Sequence, residues 1–290
     1  MPKRMFNSRA LRAFSAASVL ATFTSSALAT ETLWVLTQNH TLLKVQASQP
    51  DTILDQKTLS GLPTGAALVG IDYRVAYGKL FALSDRGELF TIDTGSGSVA
   101  QVTEHQRLAK IADYSHTRHG YQYGFDFNPA ADRIRVVNPR RENFRLHPET
   151  GAVAATDPNL TYAPTDPHAG HSPRIGAAAY TYNTKNDKLT TNFAIDLSLG
   201  NLVLQGSRED ETTPVSPNNG VLFTVGSLGL GTLASASFDI ADVSNRALAA
   251  LEPAGSGRVW LYDIDLQTGK AHNLGKLAQG RPVRGIAIEP

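Results

Sequence analysis

Three aspartates hold the same place in a recurring phrase: Gly70-Ile71-Asp72-Tyr73, Gly124-Phe125-Asp126-Phe127 and Ser237-Phe238-Asp239-Ile240. If the phrase marks one strand of a symmetric repeat, Asp72, Asp126 and Asp239 stand at one height around an axis. There they would attract a hard, oxygen-ligated cation such as Ca²⁺. The same recurrence suits a structural role, in which each carboxylate accepts backbone N–H bonds from a neighbouring unit. A second group is basic: Arg133, Arg135, Arg140, Arg141 and Arg145 fall within thirteen residues, interleaved with Asn138 and Asn143. Guanidinium forks suit carboxylates, phosphates or sugar acids, so Arg133, Arg135, Asn138, Asn143 and Arg145 form the candidate ligand-binding set. The competing reading pairs Arg133, Arg135 and Arg145 with Asp126, Asp132 and Glu142 in a salt-bridged seam. A third group is His168 and His171, in Asp166-Pro167-His168-Ala169-Gly170-His171, together with His116 and His119. Paired imidazoles can bind zinc, but a Pro/Gly-rich loop does not hold that geometry. Solvated loop histidines are the expectation.

Other chemistries lack an anchor. The chain has no cysteine, which excludes disulfides, Cys-ligated zinc, iron–sulfur clusters and a thiol nucleophile. No HExxH, G-x-S-x-G elbow, P-loop or Rossmann fingerprint occurs in a suitable context. The formal net charge of +1 is unevenly spread, because Lys3, Arg4, Arg9 and Arg12 precede any acidic residue. Beyond Ala29 the balance turns mildly acidic, so nucleic-acid binding loses its usual electrostatic footprint.

The elements that must position these residues are short strands. The Asp-bearing phrase has two degenerate copies, Gly176-Ala177-Ala178-Ala179 and Gly285-Ile286-Ala287-Ile288, with Ala in place of Asp. A second recurring segment is an apolar strand running into a glycine turn: Leu89 to Asp93 closing at Gly97, Phe193 to Asp196 closing at Gly200, Leu261 to Asp265 closing at Gly269. A third precedes it, as in Leu33 to Leu36, Leu80 to Leu83, Ile134 to Val137 and Ala247 to Leu251. Alternating apolar and polar residues bounded by Gly, Asn, Asp and Pro predict strands, and no amphipathic helix of three turns is legible. The repeat unit is therefore a four-stranded meander of about 50 residues, too small to bury both faces alone. The expected fold is all-β, a β-propeller of five four-stranded blades. Its last strand completes the blade opened by the first residues, as an N/C-terminal latch. Six blades follow if the segment 206–219 and Val221–Val225 build another meander, and a β-sandwich pair is the rival architecture.

Residues 1–29 read as a secretory signal peptide, with a basic start, an apolar stretch and the cleavage-like Ala27-Leu28-Ala29. Residues 30–290 are then one propeller domain, exported to the periplasm or the extracellular space and expected to be monomeric, with no membrane span after signal removal.

The phrases Leu68 to Arg74, Gly78 to Leu83, Gly124-Phe125-Asp126-Phe127-Asn128-Pro129, Asp132 to Val137 and Pro217-Asn218-Asn219-Gly220 resemble a bacterial family, domain of unknown function 4394. The resemblance covers nearly everything after residue 29 and implies a secreted, propeller-like protein. It assigns no activity and no catalytic residues. The leading expectation is a non-catalytic module that binds a small molecule, glycan or protein at one mouth of the channel. The alternatives are a calcium-assisted hydrolase or lactonase using the aspartates, and an envelope scaffold protein that docks a partner; nucleic acid is not an expected partner.

Overall fold

The computed structural model describes Met1, residues 30–103 and residues 122–290. Residues 2–29, where the sequence suggests a signal peptide, and His116 and His119 lie outside the described residues. In chain order, β1 (Thr32–Thr37), β2 (Thr41–Gln46) and β3 (Asp55–Thr58) belong to the first sheet. The second sheet is β4 (Leu68–Arg74), β5 (Lys79–Ser84), β6 (Leu89–Ile92) and β7 (Val99–Gln101). The third is β8 (Gly124–Asn128), β9 (Arg133–Val137), β10 (Asn143–Leu146) and β11 (Val153–Thr156). A short β12 (Thr161–Tyr162) precedes the fourth, formed by β13 (Ile175–Tyr180), β14 (Asn192–Asp196), β15 (Asn201–Gln205) and β16 (Val221–Ser227). The fifth is β17 (Leu233–Ile240), β18 (Ala247–Pro253), β19 (Trp260–Ile264) and β20 (Ala271–Lys276), and β21 (Val283–Ile288) ends the chain. The helical segments among the described residues are single 3₁₀ turns.

Five sheets in a ring make a five-bladed propeller. The innermost strands touch in a cycle, β21 to β4 to β8 to β13 to β17 and back to β21. The latch is present: β21 pairs antiparallel with β1, Leu33 opposite Ile288 and Val35 opposite Ile286. Glu289, just beyond it, accepts from Trp34 Nε1 at 3.2 Å and pairs with Lys44 at 2.7 Å. Burial follows position in the blade. β4 and β13 are buried at every residue, whereas the outer β3 and β11 alternate or lie open. An inner strand is covered by the blades on both sides, so it loses the polar face that a surface strand keeps.

The apolar interior is divided. Five separate clusters occupy the five interfaces between adjacent blades, for example Phe81 and Leu83 against Phe125, Val136 and Phe144 between blades two and three. Close approach of the inner strands explains the glycine in the recurring phrase. A Cβ on Gly124 would lie 2.7 Å from the Ala178 nitrogen, and one on Gly70 2.9 Å from Phe125 Cβ.

Blade four departs from the expected pattern. Val221–Ser227 is its fourth strand, so the polar segment 206–219 is a connection within that blade, and the count stays at five. Phe193 to Asp196 is the second strand and not the third, because the turn at Gly200 joins it to β15 inside the blade. β12 adds a fifth strand to this sheet, running parallel to β16.

Candidate functional site

The register of each blade decides where the aspartates point. Asp72, Asp126 and Asp239 pair across their hairpins with Phe81, Arg135 and Leu248. Each side chain reaches the next blade. Asp72 Oδ2 accepts from the Phe127 N–H at 2.7 Å, Asp126 Oδ1 from Tyr180 at 2.9 Å, and Asp239 Oδ2 from Ile288 at 2.6 Å. Asp72 and Asp239 also accept from their own following residues, Tyr73 and Ile240. The carboxylates thus stitch blade to blade, and Asp239 stitches the latch strand. They converge as well: one carboxylate oxygen from each lies within 4.8 Å of the others, and all three side chains are buried. Stitching and convergence are both properties of these residues.

Two blades lack the carboxylate. Ala287 holds the place in β21, opposite Trp34. In β13 the N–H bonded by Asp126 belongs to Tyr180, so Ala179 rather than Ala178 corresponds to the aspartates.

Three buried like charges raise one another's proton affinity. Burial pushes Asp72 well above the usual carboxylate range, and the charge of Asp239 adds to this. Asp126 is pushed up by burial, then by Asp72 and Asp239. Burial raises Asp239 to about 7 against its backbone hydrogen bonds, with Asp242 and Glu31 contributing. Tyr182, at the mouth, is raised by its own burial and then by the three aspartates. Such a cluster either retains protons or holds a cation.

Residues following β4, β8, β13 and β17 share two adjoining hollows, so these strands end at one mouth of the channel. The hollow beside Tyr77 has no free charge from Arg74. That guanidinium stacks 3.9 Å above the Tyr77 ring, forks onto Asp132 at 2.6 and 2.8 Å, and pairs with Glu149.

Next to these hollows, blades three and four enclose a larger cleft of about 440 Å³. Arg135 lies in its wall, 1% exposed, and spends its donors on four partners. Nε bonds the Tyr180 hydroxyl at 3.0 Å, Nη1 bonds Asn143 Oδ1 at 2.6 Å and Asp157 Oδ2 at 2.8 Å, and Nη2 bonds Asn218 Oδ1 at 2.6 Å. Arg145 grips the same Asp157 with two bonds of 2.9 Å. Tyr180 links channel and cleft, since its N–H meets Asp126 and its hydroxyl meets Arg135.

The seam therefore exists with partners other than those expected. Asp157 takes Arg135 and Arg145, while Asp132 takes Arg74 and gives Arg133 only its backbone carbonyl. Arg133, Arg135 and Arg145 line the cleft, and Asn143 is buried behind it, held by Arg135 and Gln205. Asn138 is not at the cleft. It closes the β9–β10 turn by accepting from the Arg140 and Glu142 N–H groups and donating to the Glu142 carboxylate. His168 and His171 are less free than loop histidines in solvent. Their rings lie 5.6 and 6.2 Å from Tyr162, and they bond Asn201 and Ser198.

Sequence reasoning missed the blade-four side of the cleft: Lys188, Arg208, Glu209 and Asn218. Asn218 had one local signal, its place in Pro217-Asn218-Asn219-Gly220. Among the described residues no helix is long and apolar enough to cross a membrane.

Comparison with known proteins adds a family and distant structural similarities. No curated protein matches the chain. It is similar to a chain of the nidogen/laminin complex at 11% identity and a TM-score of 0.47, covering 90% of this chain and 98% of that one. It is also similar to a structural genomics protein of unknown function from Bacteroides thetaiotaomicron VPI-5482, at 12% identity and a TM-score of 0.49, covering 84% of this chain and 57% of that one. The profile of the domain of unknown function DUF4394 matches residues 41–287, from the second strand into the last, and this protein belongs to that family.

Proposed function

We propose that the chain is an exported, non-catalytic binding module that takes a small anionic molecule into the cleft between blades three and four. The supporting observation is the charge of the lining, where Arg133, Arg135, Arg145 and Lys188 face one lining carboxylate, Glu209, while the Arg208 guanidinium turns away to the Leu266 carbonyl and the Phe193 ring. Asp157, behind the wall, neutralises one further cation, which leaves the cleft net positive. A cavity of this size suits a small ligand, and its convergent polar groups are what would fix that ligand's orientation. Arg133 and Lys188 are the cations to test, since neither makes an ion pair among the described residues. A thermal-shift panel of small carboxylates and phosphate should raise the melting temperature of the full chain, while neutral counterparts should not. Lys188→Ala and Arg133→Ala should each weaken that anion by about tenfold, the equivalent of one charge-assisted hydrogen bond. An unchanged affinity in both variants would remove the cleft from consideration.

A second reading rests on the convergence of Asp72, Asp126 and Asp239. Three carboxylates in a channel suit Ca²⁺, which draws its remaining oxygens from water or substrate, and a hydrolase or lactonase could use such an ion. On this reading Ca²⁺ raises the melting temperature of the full chain and EDTA lowers it. Identical melting in the two buffers would leave the aspartates their stitching role alone.

A further inference from the structure

Resting on the anion-binding reading, we infer that the cleft selects a hydroxylated monocarboxylate, a sugar acid, over phosphate. Glu209 carries much of the argument. It lines the same cleft as the cations and is fixed in place: Oε2 accepts from Thr181 Oγ1 at 3.2 Å, Oε1 from Asn183 Nδ2 at 3.0 Å, and its N–H donates to Thr191 Oγ1 at 3.0 Å. Each carboxylate oxygen keeps a further lone pair, and an ionised carboxylate can be satisfied only by donors. A phosphate dianion offers a single O–H and brings a second negative charge toward Glu209, so it is repelled. A ligand with one carboxylate for the cations and hydroxyls for Glu209 meets both.

The rest of the lining agrees. Ser207 Oγ accepts from the Val215 N–H at 2.9 Å, and Ser216 Oγ accepts from Asn218 at 3.2 Å, so each hydroxyl retains a proton to donate to a ligand oxygen. Pro214, Val215 and the exposed Leu189 supply apolar surface for the C–H face of a sugar ring.

The test is isothermal titration of the full chain and of Glu209→Gln with glucuronate, galacturonate, glucose and inorganic phosphate. Glu209→Gln keeps an acceptor oxygen, and an unchanged melting curve without ligand checks that it folds. The expected result is that at least one uronate binds about tenfold or more tighter than phosphate and glucose. Glu209→Gln should weaken that uronate several-fold and strengthen phosphate. If phosphate binds as tightly as both uronates, the sugar-acid inference is overturned while the anion-binding reading stands. If neither phosphate nor a uronate binds, the reading beneath it falls as well.

Discussion

Arg135→Ala should cost the chain about 3–5 kcal/mol of folding stability, the range for breaking a buried ion pair by removing one partner. The substitution strands Asp157 with only the half-exposed Arg145, and it removes a donor from Asn218, from the Tyr180 hydroxyl and from Asn143, which keeps only Gln205. Those partners come from blade three, blade four and the connection inside blade four, so the loss is spread across an interface. Arg135→Lys should recover little, because an ammonium cannot reproduce the planar fork that reaches Tyr180, Asn143 and Asn218 at once. Urea unfolding with both variants measures this. A midpoint within error of the parent would mean that water replaces the guanidinium without cost, which its near-complete burial argues against.

The second large effect is a fall in stability as pH rises. In the metal-free protein, Asp239 holds its proton to about pH 7, and Asp72 and Asp126 are also raised well above their unfolded value near 3.8. Between about pH 4 and 7 the native state therefore binds protons that the unfolded state has released. Stability is fully present below the unfolded value and is lost as pH climbs through the folded one. The expected loss is on the order of a few kcal/mol. The groups around the cluster push the same way, since Asp242 and Glu31 are acidic and Tyr182 stays neutral throughout. Urea unfolding in EDTA should give a lower midpoint at pH 8 than at pH 5. Asp126→Asn keeps an acceptor for the Tyr180 N–H while removing one charge, so it should shrink the difference and stabilise the chain at pH 8. A parent midpoint that rises between pH 5 and pH 8 would contradict the account.

The two candidate regions were not equally legible in the sequence. Asp72, Asp126 and Asp239 were visible because a closed repeat converts equal positions in a phrase into equal heights around an axis. Even there one position shifts: the equivalent of the aspartates in β13 is Ala179, and a run of alanines does not mark which of them holds the place. The partner of Arg135 was not legible. Asp157 follows the outermost strand of the same blade and folds back onto β9 and β10, whereas the acidic residues nearer in sequence point elsewhere. The far wall of the cleft was hidden for a different reason. Lys188, Arg208 and Glu209 stand on irregular connections of blade four, where no strand period relates sequence position to direction. Phe193 to Asp196 shows the limit of the repeat itself, since an apolar strand running into glycine describes a second strand as well as a third.

The most direct test is a crystal structure of the full chain soaked with a uronate. The account predicts the ligand between blades three and four, its carboxylate against Arg133 or Lys188 and its hydroxyls toward Glu209. A uronate bound instead in the channel beside Asp72, Asp126 and Asp239, or on another face of the ring with this cleft empty, would contradict it.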